Sequence, residues 1–255
     1  MKTSICLLTA ATLASSLVIA HAQFGDRPTS GPSGPNLSGA MSKIFGEHPA
    51  FAADTSLRTK AGEAGDETVV PGRIAYLEGK SRFEMDMTQV KGGKLPPGAA
   101  EQMKQMGMDK MVIVSLPEKK TTYLIYPGLE AYMEVPETNP EASKRAADFD
   151  LKVTELGREA VEGRGCLKTK AEVTDKGGKK REFTVWNATD LRKFPLKIET
   201  NEGTTNTVMQ FKDVKFDKPA ADQFEPPASY KKYDSMMSMM QQEMMKKMGN
   251  MQMPR

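Results

Sequence analysis

Apolar and polar residues alternate along most of this chain with the two-residue period of half-buried β-strands. The clearest example is the stretch 182–199, where Phe183 and Val185 point to one face and Trp186 to the other, before a polar turn and a second alternating run. Similar runs, separated by Gly, Pro, Asn and Asp, recur along the chain. They cover residues 56–59, 69–76, 83–87, 111–116, 121–126, 131–135, 151–156, 166–173, 181–186, 194–200 and 207–211.

About ten short strands with two short helices predict a mainly β fold. We expect a single curved antiparallel sheet that forms a half-open barrel, with short capping helices and a Met-rich C-terminal helix. The capping helices are predicted at residues 99–106, ending at Gly107, and at residues 139–147, where Pro140 follows a capping Asn. A change of parity after Phe211 predicts a β-bulge at residues 212–213.

The N-terminal residues resemble a secretory signal peptide. Residues 1–22 combine Lys2, an apolar run and a small-residue ending at Ala22. Residues 23–43 are predicted to be a flexible Gly/Pro/Ser linker, residues 44–230 the β domain, and residues 231–255 a Met-rich amphipathic helix or tail. This organisation predicts a bacterial protein that is periplasmic or secreted and has no transmembrane segment after signal removal.

The amino-acid composition limits the kinds of functional site that the chain can contain. The 36 basic and 33 acidic residues are scattered, which argues against a nucleic-acid partner. Beyond the signal peptide, Cys166 is the only cysteine and His48 the only histidine, which excludes a disulfide framework and disfavours triads and His-rich metal sites. A dyad of these two residues and a carboxylate pair of Glu84 and Asp86 are weak enzymatic alternatives. The sequence therefore predicts no enzyme, no cofactor and no metal site.

Two motifs carry a resemblance to a known family. Residues 185–199 place a strand that ends in an aromatic residue before a polar turn and the run Phe-Pro-Leu-Lys-Ile-Glu, and residues 163–166 precede this hairpin. Residues 211–227 supply a closing pattern of spaced Phe, Val, Lys-Pro and Pro. Over roughly residues 51–230 the chain resembles an exported bacterial domain-of-unknown-function family similar to the periplasmic lipoprotein-carrier (LolA/LolB-like) superfamily. This resemblance implies a half-open barrel whose apolar concavity takes acyl chains or hydrophobic segments, without assigning any ligand residue.

Our first functional hypothesis is a non-enzymatic exported protein that binds a lipid, an acyl chain or a hydrophobic peptide in the half-barrel. Large apolar side chains on the strand faces would supply the contact area, although any one of them could equally be part of the core. The predicted ligand-binding residues are Tyr76, Phe83, Met85, Ile113, Tyr123, Ile125, Trp186, Leu196 and Ile198.

The C-terminal tail supports further hypotheses. Five methionines recur at three- and four-residue steps, which predicts one helical stripe made of Met237, Met240, Met244, Met248 and Met251. This helix could dock on its own sheet, associate with another copy of the chain, or bind a partner through adaptable thioether side chains. Copper(I) binding by the thioethers is a minor alternative.

Overall fold

Strands with alternating burial make up most of the structure, a computed structural model that describes residue 37 and residues 39–61, 67–92, 98–137 and 144–251. Along residues 169–175, for example, the odd-numbered side chains are buried and the even-numbered ones are half-buried. This is the period that the sequence predicted, and the prediction of a mainly β fold is confirmed.

The elements follow one another in a nearly regular succession. The strands are β1 Ala50–Ala61, β2 Glu67–Leu77, β3 Lys80–Asp86, β4 Lys91–Gly92, β5 Lys110–Leu116, β6 Thr121–Tyr126, β7 Ala131–Pro136, β8 Phe149–Val161, β9 Arg164–Asp175, β10 Lys180–Ala188, β11 Phe194–Glu202, β12 Thr205–Lys215 and β13 Lys231–Tyr233. The α-helices are α1 Ala40–Phe45, α2 Ala99–Met106 and α3 Met236–Met251. Short 3₁₀ turns cover Met87–Gln89, Pro117–Lys119, Pro127–Leu129, Ala146–Asp148 and Ala221–Phe224.

The thirteen described strands form one sheet, with β4 beside β2. The order of the other twelve is β13-β7-β6-β5-β3-β2-β1-β12-β11-β10-β9-β8. The two end strands, β13 and β8, do not pair with each other in the described part of the chain, so the curved sheet is unclosed, as predicted. One detail differs from the expected antiparallel sheet, because β13 runs parallel to β7.

Local predictions about hairpins and bulges are confirmed. Strands β5 and β6 form a hairpin across the Pro117–Lys119 turn, and β10 and β11 pair with Val185 opposite Ile198. In β12 the pairing with β1 skips a residue after Lys212, where Asp213 adopts a φ of 49°. The predicted bulge is therefore present, and it bends the end of β12.

Two apolar cores lie on opposite faces of the central strands. The principal core includes Ile74 and Phe83, and it continues across β1, β12 and β11. Gly72 belongs to this face, and a Cβ there would lie 2.5 Å from both the Phe83 ring and the carbonyl oxygen of Glu84. The second core covers the other face of β2, β5 and β6 and consists of Ala75, Leu77, Val112, Val114, Leu116, Ile125 and Phe224.

The N-terminal boundary of the folded body differs from the predicted one. Leu37, Ala40 and Ser42 are buried, so α1 begins inside the stretch predicted as linker and packs on the principal core. The predicted helix at residues 139–147 lies mostly outside the described residues, and its last part forms the 3₁₀ turn Ala146–Asp148. Helix α2 ends at Gly107 in the left-handed conformation, as predicted.

Helix α3 packs against the sheet edge with a different face from the predicted stripe. Met239 is completely buried, and Glu243 accepts a hydrogen bond of 2.7 Å from the Tyr233 hydroxyl. Met237 and Met240 of the predicted stripe are 62% and 37% exposed, so these two residues do not form the face that docks on the sheet. Asp234 and Ser235 connect the short β13 to α3. Within the described residues, no helix combines the length and hydrophobicity that crossing a bilayer requires.

Candidate functional site

Five aromatic rings meet on the inner side of the sheet, and we call them the aromatic nest: Phe45, Phe51, Tyr76, Phe194 and Phe211. The Phe45 centroid lies 4.9 Å from that of Phe51, 5.6 Å from Tyr76, 5.8 Å from Phe211 and 5.9 Å from Phe194. Four of these rings belong to strands β1, β2, β11 and β12. Phe45 comes from α1, so one helical side chain occupies the centre of the sheet's inner face.

The helix that carries Phe45 has little stability of its own. It is six residues long, its N-cap is Gly39 and its C-cap is Gly46, and no side chain caps its N-terminus. A helix of this length is not stable alone in water, because its few hydrogen bonds do not offset the unfavourable free energy of helix nucleation. Burial of Phe45 and Ala40 therefore holds α1 in place, together with a 2.7 Å hydrogen bond from Ser42 Oγ to the Gly39 carbonyl oxygen.

Two cavities each have one ring of the aromatic nest in their lining. The first, which we call the end cavity, has a volume of about 470 Å³ and an apolar floor of Leu191, Leu196, Phe211 and Val214. Its rim carries charges of both signs, from Glu162, Arg164, Lys212, Asp213 and Lys215.

The second cavity, which we call the helix cavity, measures about 280 Å³ and lies beside α1. It is lined by Gly39, Ser42 and Gly46 of the helix region and by Tyr76 and His48. Phe211 belongs to the first cavity and Tyr76 to the second, and both rings contact Phe45. The Phe45 ring therefore contacts one lining residue of each cavity.

The structure divides the nine predicted ligand-binding residues between the two cores. Seven are buried in the principal core: Tyr76, Phe83, Met85, Ile113, Trp186, Leu196 and Ile198. Leu196 lines the end cavity, Tyr76 the helix cavity, and Met85 a further, open cavity of about 510 Å³. Tyr123 and Ile125 belong to the second core, because Leu124 and Tyr126, which alternate with them in β6, face the principal core. They are not brought together with the other seven.

Trp186 is buried in the principal core, and charged side chains lie around its ring. In the sheet register it sits opposite Lys168 and Lys197, whose ammonium nitrogens are 5.0 and 3.9 Å from the ring centroid. Its indole Nε1–H donates a 2.7 Å hydrogen bond to Glu159 Oε2. Hydrogen bonds from Lys168 and then from Trp186 lower the pKa of Glu159. Its neighbour Val185, not Trp186, shares the face of Ile198.

The groups considered for catalysis have other partners. The Cys166 thiol donates to the Arg164 carbonyl oxygen at 3.6 Å, and burial raises its pKa. His48 stacks on Phe216 with a centroid distance of 5.2 Å, and burial lowers its pKa.

The carboxylates Glu84, Asp86 and Asp175 accept hydrogen bonds from neighbouring side chains and backbone groups. Asp86 accepts hydrogen bonds from the Thr88 backbone and hydroxyl, and Glu84 accepts one from Arg82 at 2.8 Å. Asp175 accepts a 2.6 Å hydrogen bond from Lys144, which with backbone donors lowers the pKa of Asp175 to about 2. Among the described residues, no group of three or more His, Cys, Asp or Glu is arranged to hold a metal ion.

Of the five residues of the aromatic nest, the sequence analysis predicted only Tyr76 as a ligand-binding residue. It identified Phe45 only as the point where order begins, and Phe194 and Phe211 only as strand residues. A usable signal exists in the sequence, since Ile44-Phe45 is the first bulky apolar pair after the Gly/Pro/Ser-rich stretch. Phe51, whose ring contacts Phe45 in the structure, follows only six residues later.

Comparison with known proteins confirms the resemblance to a domain-of-unknown-function family. Residues 75–194 match the model described as a domain of unknown function, DUF4412. No curated protein sequence matches the chain.

Several solved structures are similar in fold. A LolA superfamily protein from Nitrosomonas europaea is 13% identical, with 73% of this chain and 97% of that chain covered and a TM-score of 0.40. The lipoprotein LppX of Mycobacterium tuberculosis is 10% identical, with coverage of 71% and 92% and a TM-score of 0.39. LprF from Mycobacterium bovis is 11% identical, with coverage of 76% and 95% and a TM-score of 0.37. Similarity at this level assigns no ligand to this chain.

Proposed function

We propose that this chain is a non-enzymatic exported protein that binds the acyl chain of a lipid-like ligand along the inner face of its sheet. The observation that carries the proposal is the position of Phe45. Its ring packs between Phe211, which lines the end cavity, and Tyr76, which lines the helix cavity. We infer that the two cavities would join if α1 moved away from the sheet. The ligand would enter through the end cavity and take the place of the Phe45 ring among the strand aromatics.

The size and chemistry of the end cavity support an amphiphilic ligand. Its volume of about 470 Å³ falls within the range of roughly 300–1,000 Å³ that small-molecule sites occupy. An apolar floor suits methylene groups, and the charged rim suits a polar head that stays in contact with water. Each buried methylene contributes about 0.8 kcal/mol, which corresponds to roughly a fourfold gain in affinity.

A chain-length series of saturated fatty acids tests the proposal. We expect the dissociation constant of the delipidated protein to fall about fourfold per methylene until the joined cavities are full. Val214→Trp should block the end cavity from its half-buried edge and weaken binding at least about tenfold, or 1.4 kcal/mol. Met237→Trp is the matched control, because Met237 is 62% exposed on α3. It should bind like the parent protein.

Two results would overturn the acyl-chain proposal. One is the absence of fatty-acid binding at every chain length by protein whose circular dichroism shows a folded sheet. The other is unchanged binding by Val214→Trp. Native mass spectrometry of the chain purified from the envelope of its own cells adds an independent readout, since a bound lipid should appear as a discrete mass increment. Export, which the predicted signal peptide indicates, is tested in the same material by cell fractionation.

A second candidate function is partner binding or self-association through α3. The observation that favours it is the exposure of Met237, Met240 and Met245 at 62%, 37% and 60%. Replacing all three with Ser leaves the buried Met239 in place, so the fold should persist. Loss of a dimer in analytical ultracentrifugation would support self-association, and an unchanged sedimentation profile would refute it. The same triple variant tests copper(I) binding, which should disappear if the thioethers are ligands.

A further inference from the structure

Strand β8 ends the sheet with an unusually long free edge. It has thirteen residues and pairs, in the described part of the chain, only with β9. The strand at the other end of the sheet, β13, has only three residues and leads directly into α3. Proteins normally keep edge strands short, place Pro in them, or cover them, because unpaired backbone groups attract other strands. β8 is long, contains no Pro and is exposed over most of its length.

Apolar side chains along β8 lack the cover that residues on neighbouring strands have. Leu151, Val153 and Leu156 are 37%, 55% and 52% exposed. Leu151 pairs with Val173 of β9, and Val153 with Ala171, both of which are buried. The principal core therefore includes β9 and, at the two ends of β8, Phe149 and Val161, while the apolar side chains between them are exposed.

A bulge limits the part of the edge that another strand could use. The pairing with β9 passes from Glu155 to Gly157, so Leu156 is an extra residue. Bulges bend and twist a strand and interrupt regular pairing. The usable segment is therefore Phe149–Glu155, before the bulge.

The charges of this segment are complementary to themselves in one antiparallel register. When two copies are centred on Leu151, Asp150 of each faces Lys152 of the other. Leu151 then lies opposite its own copy, and Phe149 lies opposite Val153. Directly opposed residues of antiparallel strands share a face, so both ion pairs and all apolar pairs form on matching sides.

Other two-fold registers are less favourable. Centring on Lys152 places two ammonium groups opposite each other, and centring on Glu155 does the same with two carboxylates. Centring on Val153 leaves Lys152 opposite Thr154 and Leu151 opposite Glu155. Like charges directly opposite are destabilising, so charge selects the register centred on Leu151.

We propose that β8 is a self-recognition edge, through which two copies of this chain pair antiparallel across Leu151. Such pairing would extend the sheet continuously across both molecules and give a symmetric interface in which each copy supplies the same residues. The short paired segment predicts a weak dimer with an affinity in the micromolar range, at the low end of specific interfaces.

Reciprocal charge reversal tests this register with the full exported chain in sedimentation equilibrium. The parent protein should dimerise at micromolar concentrations. Asp150→Lys and Lys152→Asp should each weaken the dimer at least tenfold, because two-fold symmetry places like charges opposite each other twice. The double variant should restore dimerisation, since the exchanged charges match again. Lys170→Glu combined with Glu182→Lys is the control, because it swaps an ion pair of 2.7 Å on the neighbouring strands.

Three outcomes would overturn the proposal. The first is a parent protein that remains monomeric throughout the micromolar range. The second is a dimer that neither single reversal weakens, and the third is a double variant that stays as weak as the single ones. A dimer that is lost only when the exposed methionines of α3 are replaced assigns association to α3 and also overturns the β8 proposal. Acyl-chain binding is measured separately, so its failure leaves this test intact.

Discussion

Replacing Phe45 with Ala should lower stability and, at the same time, increase the affinity for apolar ligands. The Phe45 side chain is 1% exposed and forms four close ring pairs with the strand aromatics. Truncation of a buried Phe to Ala costs about 3–5 kcal/mol through lost burial and the remaining cavity. At about 2–4 °C per kcal/mol for a domain of this size, the melting temperature should fall by roughly 6–20 °C.

If an acyl chain binds as proposed, the same truncation removes an obstacle to it. The chain would have to displace the Phe45 ring in the parent protein, and the free energy of that displacement would weaken binding. In Phe45→Ala the space is already apolar and empty, as in cavities engineered into other cores. We expect fatty-acid affinity to rise at least about tenfold, or 1.4 kcal/mol, in a fluorescence displacement assay with a saturated fatty acid. Saturating ligand should also restore more of the melting temperature in the variant than it adds to the parent.

Phe224→Ala is the control that separates these effects. Phe224 is also 1% exposed, but it belongs to the second core on the other face of the sheet. Its truncation should lower stability by a similar amount without changing fatty-acid affinity. The interpretation of Phe45 as a plug is refuted if Phe45→Ala binds no better than the parent, or if both variants gain affinity equally. In the second case, general loosening of the fold explains the gain.

Three further predictions concern stability alone. Gly72→Ala should destabilise the protein by about 1–3 kcal/mol in urea titration, because a Cβ would overlap the neighbouring strand at 2.5 Å; Gly165→Ala, whose nearest atom would be 3.8 Å away, should change little. At neutral pH the free energy of unfolding of Asp175→Asn should be lower than that of the parent. This difference should disappear as the pH falls from 3.8 to about 2, because the parent then loses its carboxylate charge. A difference in unfolding free energy that persists at the acidic end contradicts the assigned pKa. Met239→Ala should cost about 2–5 kcal/mol and Met237→Ala less than about 0.5, since only the first is buried; equal effects would contradict the observed rotation of α3.

Strands, hairpins and bulges were predictable because their signals are local. The turn chemistry at Pro117–Lys119 and the period-2 alternation of β10 and β11 are contained in a few consecutive residues. The parity change after Phe211 was enough to locate the bulge in β12. Each of these features depends on backbone geometry that the sequence specifies within one or two turns of chain.

The assignment of faces was not predictable in the same way. Strand β6 is apolar on both faces, with Leu124 and Tyr126 in or against the principal core and Tyr123 and Ile125 on the second. The second core exists because Phe224, about a hundred residues later in the chain, covers that face. The alternation of residues identifies the two faces of a strand. It does not identify the segment that covers each face, because that segment can be far away in the sequence. Likewise, methionine spacing alone does not show which face of α3 packs on the sheet, with Met239 buried and Met237 exposed.

An unclosed sheet explains why the plug and the free edge occur in one molecule. A closed barrel covers its inner face with its own opposite strands and has no edge. Here β8 and β13 do not pair in the described residues, so the inner face needs cover from elsewhere, and Phe45 of α1 supplies it. Moving a six-residue helix away to admit a ligand costs less free energy than removing a strand, because fewer backbone hydrogen bonds break. The unclosed sheet also leaves the edge of β8 available to a second copy of the chain. Ligand binding and self-pairing would therefore both depend on the unclosed sheet, but at different places in it.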